Sequence, residues 1–251
     1  MIFGYRLIIG LIFSWGMVLQ AQISAIQIKE EQQKIPVYLF PGQGSDSALF
    51  SELHFDSRFR LHYITLPTPE KKANMKDYAL EVMDHIDTGS YPVLIGTSLG
   101  GMVCVEIADI IECRKVIIIS SAKMRIELPF RYRFQRYVPL NKLVPKKLMK
   151  LGALILQPIV ETDRNKKKEV FKRMLGSKDP MYIKRTVNLI IHWDRTGYNP
   201  TIIHIHGDRD HTIPLKHVKA DYIIKGGSHM MTLTRAADIS ALLDQLLGDV
   251  Q

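Results

Sequence analysis

Cysteine is almost missing from this chain. Two cysteines in 251 residues exclude a disulfide-stapled scaffold and a four-thiolate zinc site. Sixteen glycines and 12 prolines are too few for a collagen-like or low-complexity chain, and no internal repeat stands out. No apolar run reaches the roughly 20 residues that cross a bilayer. Acidic residues are in deficit: 25 Asp+Glu against 34 Lys+Arg leave a net charge of +9. That surplus favours anionic partners but does not fix a fold. What is present, 46% hydrophobic and 24% charged residues, is the profile of an ordinary globular protein.

The first residues read as a targeting segment. Arg6 and the amino terminus supply positive charge, and residues 7–19 are apolar but for Ser14. A small residue, Ala21, follows. This is the pattern of a secretory signal peptide over residues 1–21, although Leu19 is bulkier than the cleavage pattern prefers. The expected location is therefore secreted or periplasmic; the alternative is an uncleaved N-terminal segment that anchors the protein to the membrane.

From residue 35 onward, short apolar runs alternate with helical patterns. Ile35–Phe40, Leu61–Leu66, Pro92–Gly96, Val116–Ser120, Ile202–His206 and Tyr222–Ile224 read as strands. Met75–Ile86, Leu99–Ile111 and Ala236–Leu247 read as helices between them. Short buried strands separated by helices predict an α/β fold with a mostly parallel sheet of about six strands covered on both faces. The second helix would carry Cys104 and Cys113 nine residues apart, on opposite faces, so they are expected not to pair and to be small buried side chains.

The alternation stops between residues 122 and 198. That segment has helical patterns only: Lys142–Leu156, Asp163–Leu175 and Pro180–Trp193, the last with Asp179 as N-cap and Pro180 at the first helical position. It holds 19 Lys+Arg and 6 Asp+Glu, net +13, whereas the rest of the chain has 15 basic and 19 acidic residues. The expected organisation is a core of residues 22–121 and 199–251 interrupted by a basic helical insertion, 122–198.

Chemistry is concentrated at strand ends. Gly96-Thr97-Ser98-Leu99-Gly100-Gly101 lies between a strand and a helix, the context a G-x-S-x-G nucleophile turn requires. Gly96 and Gly100 leave room for that turn, and the helix start aims N–H groups at developing negative charge. A phosphate loop is excluded, because Met102 and Val103 stand where Lys and Ser/Thr belong. The first strand runs into Pro41-Gly42-Gln43-Gly44-Ser45, a loop whose backbone can approach a substrate; Gln43 and Leu99 are the candidate oxyanion N–H donors. Downstream, Gly207-Asp208-Arg209-Asp210 and Gly226-Gly227-Ser228-His229 each follow a strand. A serine needs a histidine to take its proton, and the histidine needs a carboxylate. Ser98, Asp210 and His229 occur in that chain order. His204 and His206 read as packing residues or as support behind the site. With Asp208 they begin a metal-binding H-x-H-x-D-H pattern, but Arg209 occupies the place of its last histidine, so no metal site is expected.

These residues resemble the α/β-hydrolase fold superfamily over about residues 35–247, with the 122–198 insertion in the place of that superfamily's variable lid. The resemblance favours Asp210 over Asp208 as the acid, because the superfamily's acid falls three residues after the strand-ending glycine. A second resemblance, to malonyl-type acyl-carrier-protein transacylases, rests on Phe40-Pro41-Gly42-Gln43-Gly44-Ser45 and Thr97-Ser98-Leu99-Gly100. Against it, Asp46, Thr97 and Gly101 depart from that family's pattern. Together with the signal segment, the first resemblance implies an exported serine hydrolase that cleaves an ester or related acyl bond through an acyl-enzyme, with no metal or organic cofactor. The substrate would be a small-molecule or lipid acyl compound. No nucleic-acid partner is indicated, and the basic insertion could make peripheral contact with an anionic membrane or substrate. A hydrolase-fold binding protein without activity is the alternative from another class.

Overall fold

A computed structural model describes residues 34–139, 143–160 and 167–250 together with Gln20, Gln22 and Ser24. The expected signal segment, residues 1–21, lies outside the described residues except for Gln20. Six strands are present: β1 (Ile35–Phe40), β2 (Phe59–Tyr63), β3 (Val93–Thr97), β4 (Lys115–Ile119), β5 (Ile203–Gly207) and β6 (Tyr222–Ile224). They form one sheet in the order β2-β1-β3-β4-β5-β6, every neighbour parallel.

The central strands are near-continuous apolar runs because both of their faces are covered. Side chains alternate between two cores. Tyr38, Phe40, Leu94 and Ile118 pack on one side, and Val37, Leu39, Ile95, Ile117 and Ile119 on the other. The first core is closed by α1 (Met75–Met83) and α2 (Leu99–Ile107). Every residue of α2 is buried, so this helix shows no polar face. The second core is closed by α8 (Ala236–Leu247), through Ile239, Leu243 and Leu247; the short α7 (Met231–Thr234) leads into it.

Between β4 and β5 the described residues form helices and no strand: α3 (Phe130–Gln135), α4 (Lys146–Val160), α5 (Lys168–Ser177) and α6 (Pro180–His192). The Asp179 carboxylate caps α6 by accepting from the Met181 N–H, and Ile183, Leu189 and Ile190 bury its inner face in the first core. The end of this segment is tied to α2, where the Trp193 indole N–H donates to Glu106 Oε1 at 2.7 Å and Arg195 stands 3.4 Å from Glu106 Oε2.

Several boundaries differ from the expectations. β2 ends at Tyr63 because its pairing with β1 ends at Leu39; Ile64 and Leu66 are buried beyond it as loop residues. α2 stops at Ile107, where the chain turns back toward β4. Cys113 therefore lies outside that helix and is half-buried, whereas Cys104 is fully buried. The helix expected over Lys142–Leu156 is shifted to Lys146–Val160. The one expected from Asp163 is described from Lys168 and runs to Ser177; its expected start lies outside the described residues.

β5 carries two fully buried histidines on one face. His206 Nε2 lies 2.8 Å from the Ile213 carbonyl oxygen, which can only accept, so this nitrogen bears the proton. His206 Nδ1 then accepts from His204 Nε2–H at 3.0 Å. Both rings are neutral: burial lowers the pKa of each below the ordinary 6.5. The unfolded chain takes up protons at these rings below about pH 6.5 while the fold resists them. Stability is thus expected to fall as pH drops from 7 toward 5, by up to about 1.4 kcal/mol per pH unit for each ring. Urea unfolding across that range would show it, and a His204→Asn variant should give a shallower slope.

Candidate active site

Four loops meet at the C-terminal edge of the sheet, following β1, β3, β5 and β6. Parallel sheets assemble ligand sites there. Ser98 sits between β3 and α2 at φ 53°, ψ −119°, a conformation that costs a non-glycine residue roughly 1–3 kcal/mol. Close packing holds it. A Cβ on Gly96 would lie 2.5 Å from the Gly100 carbonyl oxygen, and one on Gly100 would lie 2.6 Å from the Phe40 carbonyl carbon. The Ser98 N–H donates to Ile119 O at 3.0 Å, and the Ser121 hydroxyl donates to Ser98 O at 2.7 Å. The turn is thereby clamped between β1 and β4, with the serine hydroxyl left free to point outward.

Ser98 Oγ lies 2.9 Å from His229 Nε2, and His229 Nδ1 lies 2.7 Å from Asp210 Oδ2. Asp210 is buried, and its second oxygen accepts the Thr212 and Ile213 N–H groups at 2.8 and 2.7 Å. Burial pushes its pKa up, but the attraction of and hydrogen bond from His229, together with the Ile213 N–H, outweigh this, so the carboxyl stays below its ordinary 3.8. It is ionised at neutral pH. The His229 Nδ1 facing it therefore carries the proton, and Nε2 is left to accept from Ser98. Asp208 is not part of this group: its Oδ1 accepts the Gly226 N–H at 2.6 Å and secures the turn after β6.

The loop after β1 closes on the serine. A Cβ on Gly42 would stand 3.1 Å from Ser98 Cβ, and the loop is folded tightly by Ser45, whose N–H and hydroxyl both donate to Gly42 O. Leu99 is the first residue of α2, so its N–H is among those that a helix leaves without an internal acceptor. The Gln43 side chain reaches the other way: its Nε2 donates to Thr186 Oγ1 at 2.7 Å and to Ile183 O at 3.2 Å, both on α6. The loop that carries the Gln43 N–H is therefore fastened to the helices above the sheet.

Over Ser98 and His229 lies a cavity of about 390 Å³, bounded by α3, α4, α5 and α6. Met102, Met149, Met174, Leu175, Ile183 and Val187 make its walls largely apolar. Arg131 is the one Lys, Arg, Asp or Glu among its described lining; it donates to the carbonyls of His211 and Thr212, beside the acid loop. The volume is within the range of small-molecule sites.

Sequence reasoning did not find the Gln43–Thr186 link or the chamber walls, because these pair residues about 140 positions apart inside helices with no motif of their own. The period of α6 does place Ile183, Val187 and Ile190 on one face, and all three line the cavity. His206 was read as packing or support. It stands 3.4 Å from Asp210 Oδ2 while holding Ile213 O, so it braces both ends of the acid loop. Cys104 and Cys113 take no part.

No family model matches this sequence, and no curated protein does. Solved structures do. A thermophilic esterase from Thermogutta terrifontis is 15% identical, with 87% of this chain and 91% of that chain covered at a TM-score of 0.70. An esterase from Exiguobacterium antarcticum is 12% identical, with 86% and 93% covered and a TM-score of 0.64. An N-acyl homoserine lactonase is 18% identical, with 86% and 90% covered and a TM-score of 0.58. Identities this low speak to architecture, and with six parallel strands, helices on both faces and a nucleophile-type turn after β3, this chain has the α/β-hydrolase fold.

Proposed function

We propose that the protein is an exported serine hydrolase that cleaves an ester or related acyl bond, with residues 122–198 serving as a lid over its site. The observation that carries this reading is the pair of contacts joining Ser98, His229 and Asp210, at 2.9 and 2.7 Å. A binding protein has no use for a serine strained into a turn and aligned with a base.

His229 Nε2 accepts the Ser98 hydroxyl proton as Oγ attacks the acyl carbonyl. The negative charge that forms on the carbonyl oxygen is held by the N–H groups of Leu99 and Gln43, supported by the N-terminus of α2. Asp210 stabilises the imidazolium and keeps its tautomer. His229 then returns the proton to the leaving alcohol, which departs and leaves an acyl group on Ser98. Water, deprotonated by His229, attacks that ester and frees the acid with Ser98 restored. Protons and charge balance among these residues and water, so the sequence of steps calls on no metal or organic cofactor. The apolar chamber suits the acyl side of the substrate.

Steady-state hydrolysis of 4-nitrophenyl esters of graded chain length tests the reading. Ser98→Ala and His229→Ala should each lower kcat by a factor on the order of 10³–10⁶ and Asp210→Asn by about 10⁴, with melting temperatures that show folded protein. Full activity in folded Ser98→Ala would contradict it. Gln43→Ala keeps the backbone donor but loses the tie to α6. Its kcat is expected to fall about tenfold, in line with the loss of one or two hydrogen bonds; an unchanged kcat would mean that the loop holds its place without α6.

A further inference from the structure

The helices that roof the cavity have a second face. On α3, Phe130 and Phe134 stand four residues apart and lie 66% and 40% exposed, and Tyr137, in the turn just past the end of the helix, is 79% exposed; the two phenylalanine rings stack 5.4 Å apart. On α4, Leu148, Leu151 and Ile155 stand three and four residues apart at 56%, 50% and 61% exposed. Such spacings put Phe130 and Phe134 on one side of α3, and the three residues of α4 on one side of that helix. Tyr132 of α3, and Met149 and Ala153 of α4, line the cavity from another side. Nine of the 14 large exposed hydrophobic residues among the described ones fall between Ile126 and Ile155. A soluble surface scatters such residues singly.

The charge of the same stretch is one-sided. From Leu128 to Val160 there are seven Lys or Arg and no Asp or Glu. Arg136 and Lys147 are exposed beside the two apolar stripes. An acidic protein partner would match the charge but has no call for six uncovered aromatic and aliphatic side chains. An anionic bilayer matches both, taking the apolar side chains into its interface and the cations at its headgroups.

We propose that the outer face of α3 and α4 docks on an anionic lipid surface, so that the cavity over Ser98 opens beside the membrane. Docking does not depend on the reaction proposed above, and it is read without any activity assay. The experiment is co-sedimentation of the full chain with vesicles of phosphatidylcholine alone and of phosphatidylcholine with phosphatidylglycerol, at low and high salt. Binding is expected to be at least about tenfold tighter to the anionic vesicles and to weaken as salt screens the contact. The double variants Arg136→Glu/Lys147→Glu and Leu151→Ser/Ile155→Ser should each reduce it while melting at the wild-type temperature. Binding that ignores lipid charge and survives both variants would overturn the proposal and assign lipid contact to the apolar N-terminal stretch. A monomer that binds neither vesicle would overturn it too. So would a concentration-dependent dimer without vesicle binding that both variants dissolve, because the face would then belong to a second copy of the chain.

Discussion

The structure depends on how closely the start of α2 can approach the sheet. Ser98 occupies a backbone conformation that L-residues avoid, and its side chain does not cap the helix that follows. The compensation is packing: β1 passes so near that only glycine fits at position 100, and β4 receives the Ser98 N–H. With that turn fixed, the serine hydroxyl stands clear of the sheet, and the loops after β5 and β6 bring an ionised carboxylate and a histidine into line with it. Without it, the same residues would be a serine, an aspartate and a histidine scattered over 132 positions.

The segment between β4 and β5 acts in two directions. Inward, α6 contributes the Thr186 hydroxyl and Ile183 carbonyl that hold Gln43, and α4 and α5 add methionine and leucine walls. Flexible, polarizable methionine lets the walls of such a chamber adjust their shape. Outward, α3 and α4 leave apolar side chains uncovered amid exclusively basic neighbours. One set of helices thus shapes the chamber and presents a surface, while the sheet below carries Ser98, His229 and Asp210.

Much of this was legible in the sequence because strongly buried elements leave strong patterns. β1, β3 and β4 are apolar on both faces and stood out as unbroken runs. Ala236–Leu247 matched its helix residue for residue because its amphipathic period continues to its end. Ser98, Asp210 and His229 were found by their positions just past strand ends, and the structure brings them within hydrogen-bond distance. The misplacements have a common physical cause. Where β2 stops is set by its partner β1, and where α2 stops is set by the return to β4; apolar residues such as Ile64, Leu66, Ile110 and Ile111 recur beyond both ends. The hold of α6 on Gln43 joins side chains with no local signature, so it became visible only once the strands were in register, whereas the supporting place of His206 was among the readings its strand position allowed.

The central claim is that Ser98 is an activated nucleophile. Its most direct test is intact-mass spectrometry after exposure to a fluorophosphonate, followed by peptide mapping. The account predicts a single phosphonyl adduct on Ser98 in the wild type and none in folded His229→Ala, where the base is gone. A folded wild-type protein that stays unmodified, or one modified elsewhere while Ser98 remains free, would contradict it.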